Sequence, residues 1–425
     1  MSAGQVLLKG GRVVDPGRGI DRIMDVGFAG GVMAAPESLQ HPETVDVSGC
    51  VVTPGFIDLH VHLRQPGNTA AETIATGTQA AAAGGFTTIV AMPNTVPPAD
   101  NAGAIEYLRQ QAAQSGAVHV LPCGCLTKGR AGTEMAGIGS LAQAGVAAFS
   151  DDGGCVQDHA LMRHLAEYIE SFRLPIMDHC EDRNLAAGGV MHEGKWSVLL
   201  GMKGLSSAAE EMIVARDIIL ARMTGARFHL QHISAKACVR MIAQARADRL
   251  PVTGEVTPHH LALTDGCIKT YDTNYKMSPP LRSEEDRKAL IEGLASGVLT
   301  VIATDHAPHT RTAKMVEFDE APFGVVGLET ALPVCLSELV HGGVMPMLPF
   351  IAKLTTGPAE VLGFRQYDLR NGNPADVTVF DPERTFTVDP EKFLSKGRNT
   401  PFAGRVCKGQ VMRTYVDGKL VFERK

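Results

Sequence analysis

Apolar and polar positions follow two different patterns along this chain, and the change between them divides it. Residues 1–53 read as short strands broken by glycine: Val6-Leu7-Leu8-Lys9, Gly10-Gly11, Arg12-Val13-Val14-Asp15, with Pro16-Gly17 and Gly30-Gly31 behind. No helical period appears, and these breaks are the punctuation of a β-sheet. Residues 365–425 repeat the style. Asp376-Val377-Thr378-Val379-Phe380 reads as a strand, and 411–416 leads through Asp417-Gly418, a good hairpin turn, into Leu420-Val421-Phe422. Chain termini often lie close together, so both ends are expected to build one small β-sandwich.

The middle, residues 54–364, behaves differently. Near-continuous apolar or β-branched runs at 56–62, 87–92, 118–123, 146–151, 174–179, 227–233, 252–256 and 298–304 fit strands covered on both faces. Segments 72–83, 158–172, 206–224 and 283–295 carry helix formers at helical spacing, several after a Ser or Asp that could cap them. Eight strands alternating with helices predict an α/β fold, a closed (β/α)8 TIM-type barrel. A doubly wound open sheet is the alternative. Histidine and aspartate gather at the C-terminal ends of the runs: His60, His62, Asp151, Asp152, His179, His232 and Asp305, with His309 just beyond. A barrel brings those ends to one face, whereas an open sheet would spread them along an edge.

Composition changes this picture little. The 425 residues are 44% hydrophobic and 20% charged, and the net charge of −6 comes from interspersed groups. Nothing suggests nucleic acid or an anionic membrane as a partner. The start lacks the basic end and apolar run of a signal peptide, and no run of about 18 apolar residues follows, so a cytoplasmic protein is expected. Nine cysteines, scattered and without a C-x-x-C pair, read as reduced core residues.

The densest chemistry lies in Gly55-Phe56-Ile57-Asp58-Leu59-His60-Val61-His62-Leu63-Arg64. Under strict alternation Asp58, His60 and His62 share one face of a strand, with Ile57, Leu59, Val61 and Leu63 on the other. A lone histidine at a strand end is usually a hydrogen-bonded core residue. Four imidazoles with two or more carboxylates on one face fit a divalent metal of the zinc type. One zinc needs only three or four protein ligands, so the surplus points to two metals and two-metal hydrolysis.

That first strand, extended through Gln65-Pro66-Gly67, resembles the amidohydrolase superfamily, and through Arg64 it is similar to the long bacterial class of dihydroorotases. Supporting motifs are Met92-Pro93-Asn94-Thr95, Phe149-Ser150-Asp151-Asp152-Gly153, Asp178-His179-Cys180-Glu181-Asp182, Gln231-His232-Ile233-Ser234, Val256-Thr257-Pro258-His259-His260-Leu261, Ala303-Thr304-Asp305-His306-Ala307-Pro308-His309, Ala321-Pro322-Phe323-Gly324 and Asn399-Thr400-Pro401-Phe402. The resemblance implies zinc, two ions per subunit. His60, His62 and Asp305 would hold one, His179 and His232 the other, with Asp152 between them. It implies reversible hydrolysis of the cyclic amide of dihydroorotate to carbamoyl-aspartate in pyrimidine biosynthesis, with a metal-bridging hydroxide as nucleophile. Asp305 would be the catalytic base and acid. Arg64, Asn94 and His309 would grip the substrate carboxylate, with His62 and Ser278 beside the substrate and the backbone of Phe323 and Gly324 against its ring. A homo-oligomer, a dimer, is expected, with aspartate transcarbamoylase as a candidate partner.

Several points stay open in the residues. Many amidohydrolases bridge their metals with a carboxylated lysine after the fourth strand, where this chain has Asp151-Asp152. Neighbouring motifs favour Asp152, while period two says only that one of the pair faces in. Lys128 suits a structural role. Ser278 stands where the family commonly has asparagine, and its shorter reach suggests a water in the gap. Segment 310–320 is either a mobile lid or a solvated loop. Cys180 reads as a buried thiol or an occasional ligand, and Asp58 as support for the histidines from one pleat below. Rival readings are hydrolysis of a hydantoin or allantoin, and a non-catalytic scaffold for aspartate transcarbamoylase.

Overall fold

The structure is a computed structural model that describes residues 4–424. Eight strands form its centre: β1 (Phe56–Val61), β2 (Phe86–Ala91), β3 (His119–Gly124), β4 (Ala148–Phe149), β5 (Ile176–Asp178), β6 (Phe228–Leu230), β7 (Val252–Val256) and β8 (Val301–Ile302). They lie side by side in chain order, every neighbouring pair parallel. The seam between first and last closes just beyond β8, where Val61 bridges His306 in parallel and His62 N–H donates to the His306 carbonyl at 2.9 Å. The sheet is therefore a barrel and not a doubly wound layer.

Two apolar layers hold it. Ile57, Leu59, Val90, Met92, Cys123, Ala148, Met177 and Val301, drawn from six strands, fill the lumen. Phe56, Val61, Ile89, Phe149 and Leu230 face outward onto helix residues such as Ile74, Ile105, Leu165 and Ile213. Phe56 and Phe86 meet edge to face at 5.8 Å, a pairing that adds about 0.5–1.5 kcal/mol to their burial. The helices start where sequence chemistry allows. Before Glu284–Ala295, Ser283 and Asp286 form a capping box, and three acidic residues in the first turn oppose the helix dipole. Among the described residues no helix is long and apolar enough to cross a membrane.

Both chain ends join in one accessory layer. A six-stranded sheet places Val51–Pro54 and Arg12–Asp15 beside Val377–Thr387 and Val406–Val416, so amino- and carboxy-terminal segments share hydrogen bonds. A four-stranded sheet from residues 6–46 packs on it through Leu8, Val13, Phe28, Val52, Val377 and Tyr415. The two-ended β-layer read from the sequence is present. Tyr367 Oη donates to the Gly55 carbonyl at 2.8 Å and fastens this layer to the start of β1.

Two expectations fail in detail. The fourth and eighth runs, read as 146–151 and 298–304, yield strands of only two residues, because the chain leaves strand geometry where it turns its polar ends to the site. Strict alternation in the first strand also breaks. The register of β1 against β2 shifts between Asp58 and Val61, so Leu59 and His60 both turn inward while Val61 joins the outer layer. Such an irregularity re-aims a side chain next to a site. Asp58 is consequently not under the histidine rings. Its carboxylate accepts from Thr304 N at 3.1 Å and Oγ1 at 2.6 Å and from His60 N at 3.1 Å, which locks the β1–β8 seam.

Candidate active site

The C-terminal strand ends converge on a cavity of about 650 Å³ lined by His62, Arg64, Asp152, His179, His232 and Asp305, with His60 buried at its base. His60 Nε2 lies 3.2 Å from Asp152 Oδ1 and 3.4 Å from Asp305 Oδ1. His62 Nε2 lies 3.3 Å from Asp152 Oδ2 and 3.1 Å from Asp305 Oδ1. His179 Nδ1 is 2.8 Å from His232 Nε2, and these rings stand 3.6 and 3.8 Å from Asp152. Ligand atoms of His60, His62 and Asp305 fall within 4.8 Å of one another, as do those of His60, Asp152 and His232. Of the adjacent aspartates Asp152 faces the cluster. Asp151 turns away and accepts from Leu126 N, Thr127 N and the Thr127 hydroxyl, which shapes the loop after β3.

The donors around the cluster decide which ring nitrogens face in. Glu255 Oε1, on β7, sits 2.8 Å from His60 Nδ1, so that nitrogen donates to the carboxylate and Nε2 is the atom turned to the cluster. Asn94 Oδ1 does the same for His62 at 2.8 Å and retains its own N–H groups as donors. His232 and Asp305 hold φ of 33° and 46°, strained for non-glycine residues and a common mark of functional sites. Burial works against charge on Asp152 and Asp305, but the surrounding histidines, His60 foremost, hold both carboxylates ionised below the usual range. Burial, then the neighbouring His179 and His60, push His232 down to about 3. Burial likewise opposes charge on His60, but the two carboxylates, Asp152 foremost, outweigh it and raise the His60 pKa well above its usual value, so positive charge sits among two ionised carboxylates where a divalent cation would replace the proton. His60 Nε2 and Asp152 Oδ1 are buried there with only each other, at 3.2 Å, and no other hydrogen-bond partner. Buried polar atoms are rarely left so, and a divalent cation fits between them.

One wall of the cavity is built for recognition. Arg64, at φ 58°, donates from Nε to the Pro308 carbonyl at 3.2 Å, which fixes the guanidinium fork. His309 Nε2 lies 2.7 Å from the Phe323 carbonyl, and burial with the Arg64 charge lowers its pKa to about 3, so the ring is neutral and offers Nδ1 as an acceptor. Lys276 Nζ stands 4.7 Å over the Phe323 ring. Gly324 has φ 133°, and a Cβ there would lie 2.8 Å from Ala307 Cβ, so only glycine fits. Ser278 Oγ donates to Glu181 Oε2 at 3.1 Å. Segment 310–320 is anchored: Phe318 is buried, and Lys314 Nζ donates to the carbonyls of Thr273, Lys276 and Pro322.

All the site residues read from the sequence therefore meet at one cavity. Those it missed are Glu255, Glu181 and Arg130, which donates to the carbonyls of Asp151 and Asp152. A single carboxylate in the strand pattern Val-Thr-Gly-Glu-Val carries no signal of its direction. Cys180 lies against Asp178 and Asp217, beside the buried Arg216 ion pairs and away from the cluster, and Lys128 pairs with Glu134 on the surface.

A closed parallel barrel with imidazoles and carboxylates converging at its C-terminal face defines a hydrolase of the amidohydrolase type. A family model described as dihydro-orotase-like matches residues 49–238. The dihydroorotase of Pelotomaculum thermopropionicum is 49% identical over 422 residues, covering 99% of both chains. That of Solibacter usitatus is 48% identical over 423 residues, covering 99% of this chain and 98% of its own. Among solved structures, the L-hydantoinase (dihydropyrimidinase) from Arthrobacter aurescens superposes with a TM-score of 0.88 at 25% identity, over 99% of this chain and 96% of that one. The chain belongs to the dihydroorotase family.

Proposed function

We propose that this protein is a zinc-dependent dihydroorotase that opens the cyclic amide of dihydroorotate to carbamoyl-aspartate and, in reverse, closes it. The observation that carries this reading is the buried pair His60 Nε2 and Asp152 Oδ1, 3.2 Å apart with no other hydrogen-bond partner, inside a ring of His62, His179, His232 and Asp305. His60, His62 and Asp305 would hold one zinc and His179 and His232 the other, with Asp152 shared. Bound there, zinc would lower the pKa of a water and polarise the amide carbonyl.

The residues do the rest. Asp305, ionised and 3.1 Å from His62 Nε2, accepts a proton from the attacking water and returns it to the ring nitrogen as the C–N bond breaks. Arg64 and the Asn94 amide donors hold the substrate carboxylate. His309, as an acceptor, suits a ring N–H better than a carboxylate, and the backbone at Phe323 and Gly324 lies along the ring. Ser278 acts through Glu181. Ring closure consumes a proton, so acid favours it.

The fold likeness to a hydantoinase supports a second reading, hydrolysis of an uncarboxylated cyclic amide. Purified protein assayed in parallel with dihydroorotate and hydantoin separates the two: turnover of the first alone supports the proposal, turnover of hydantoin alone ends it. We take residues 54–364 as the catalytic barrel, with 1–53 and 365–425 as its companion unit, in a cytoplasmic homodimer. Light scattering with and without aspartate transcarbamoylase tests that assembly.

A further inference from the structure

We infer that His229 is a positioning residue for the metal cluster, acting from deep in the barrel through Glu255, with Thr253 as the last link. The inference rests on the metal reading of the site. It concerns residues that touch neither substrate nor metal.

The lumen is divided. Strands β1 to β5 and β8 fill it with Ile57, Leu59, Val90, Met92, Cys123, Ala148, Met177 and Val301. On the β6 and β7 side stand His229, Glu255 and Thr253, the first two fully buried. Barrel interiors are ordinarily filled by branched aliphatic side chains, and polar groups there are costly unless every one is paired. Here they are paired in one chain. His60 Nδ1 lies 2.8 Å from Glu255 Oε1, and His229 Nε2 lies 3.0 Å from Glu255 Oε2. His229 Nδ1 lies 2.8 Å from Thr253 Oγ1, beside a second cavity of about 310 Å³ whose lining also includes Arg227, Arg246 and Arg249.

The directions of these bonds follow from chemistry. A carboxylate only accepts, so both His60 Nδ1 and His229 Nε2 carry protons, and in the neutral His229 ring Nδ1 accepts from the Thr253 hydroxyl. One orientation is thereby handed from Thr253 to His229 and, through Glu255, to His60, whose Nε2 is turned toward the cluster. Glu255 Oε1 also accepts the backbone N–H of His232 at 3.1 Å, at the strained φ of 33°. One carboxylate thus grips histidines of both proposed metal positions, and His229 fixes its free oxygen. Such outer partners typically contribute 10–100-fold in metal affinity.

The test compares His229→Leu, which ends the chain, with His229→Gln, whose amide can still donate to Glu255, and with Thr253→Val. Zinc affinity and stoichiometry are read on the whole protein by competition with a chromophoric chelator, and kcat and KM by turnover. His229→Leu should weaken at least one zinc by 10–100-fold and lower kcat with KM little changed. His229→Gln should recover most of that loss, and Thr253→Val should cost about 2–5-fold. Wild-type zinc affinity in His229→Leu would overturn the inference, as would equal loss in the Leu and Gln variants, which would mark simple packing. If His229→Leu fails to fold, the Gln and Val variants decide: wild-type affinity in Thr253→Val together with full loss in His229→Gln refutes the chain. A wild type that binds no zinc would instead overturn the metal reading itself.

Discussion

Replacing Arg64 by glutamine removes the fork assigned to the substrate carboxylate and little else. Arginine there spends one donor, Nε, on the Pro308 carbonyl at 3.2 Å, and losing that bond costs about 1 kcal/mol of stability. The left-handed φ of 58° strains glutamine as it strains arginine, so it cancels in the comparison. The terminal guanidinium groups would make two charge-assisted hydrogen bonds to the substrate, at about 1.5–3 kcal/mol each in isolation. Allowing for water that replaces them, about 3–4 kcal/mol of binding disappears, or roughly 10²–10³ in kcat/KM, chiefly through KM. Steady-state rates with dihydroorotate measure this. The control is dihydrouracil, the same ring without a carboxylate, whose slow turnover should be unaffected by Arg64→Gln. An equal loss on both substrates would refute the assignment and make Arg64 a support for the cavity wall.

Asp305→Asn, whose amide oxygen can still ligate, should keep zinc content near the wild-type level under saturating zinc, measured by elemental analysis, and lose about 10²–10⁴-fold in kcat; near-normal turnover would place the proton carrier elsewhere. Gly324→Ala forces a Cβ to 2.8 Å from Ala307 and a side chain into φ 133°, so a strain of about 1–3 kcal/mol should displace the wall and raise KM more than it lowers kcat. Burial outweighs the Ser395 and Leu394 N–H donors and lifts the Glu329 pKa from 4.5 to about 7. The folded state therefore binds the proton more tightly, and this stabilisation is complete below about pH 4.5 and lost as pH rises through about 7. Chemical denaturation across that window should show a falling contribution that Glu329→Gln abolishes.

The barrel was legible because its strands, covered on both faces, read as unbroken apolar runs, and because His60, His62, His179, His232 and Asp305 all closed such runs. The two-ended β-layer was legible from its glycine and Pro-Gly breaks. Strand limits were not, since residues such as Ser150 and Thr304 keep strand-like composition after leaving the sheet. Alternation misplaced Asp58 because a register shift between Asp58 and Val61 leaves no mark in residue types. The choice of Asp152 over Asp151 needed coordinates, as adjacent aspartates differ only in facing. Glu255 and His229 were invisible for a related reason: a polar residue within a buried strand shows its partners only when three strands are brought together.

The six-residue cluster is proposed as a zinc site that hydrolyses a carboxylated cyclic amide. Dihydroorotate turnover by the purified protein, with bound zinc counted in the same sample before and after chelation, tests it most directly. Turnover should fall with zinc, return when zinc is restored, and exceed turnover of hydantoin. Full activity after complete metal removal, or hydantoin turnover without dihydroorotate turnover, would contradict it.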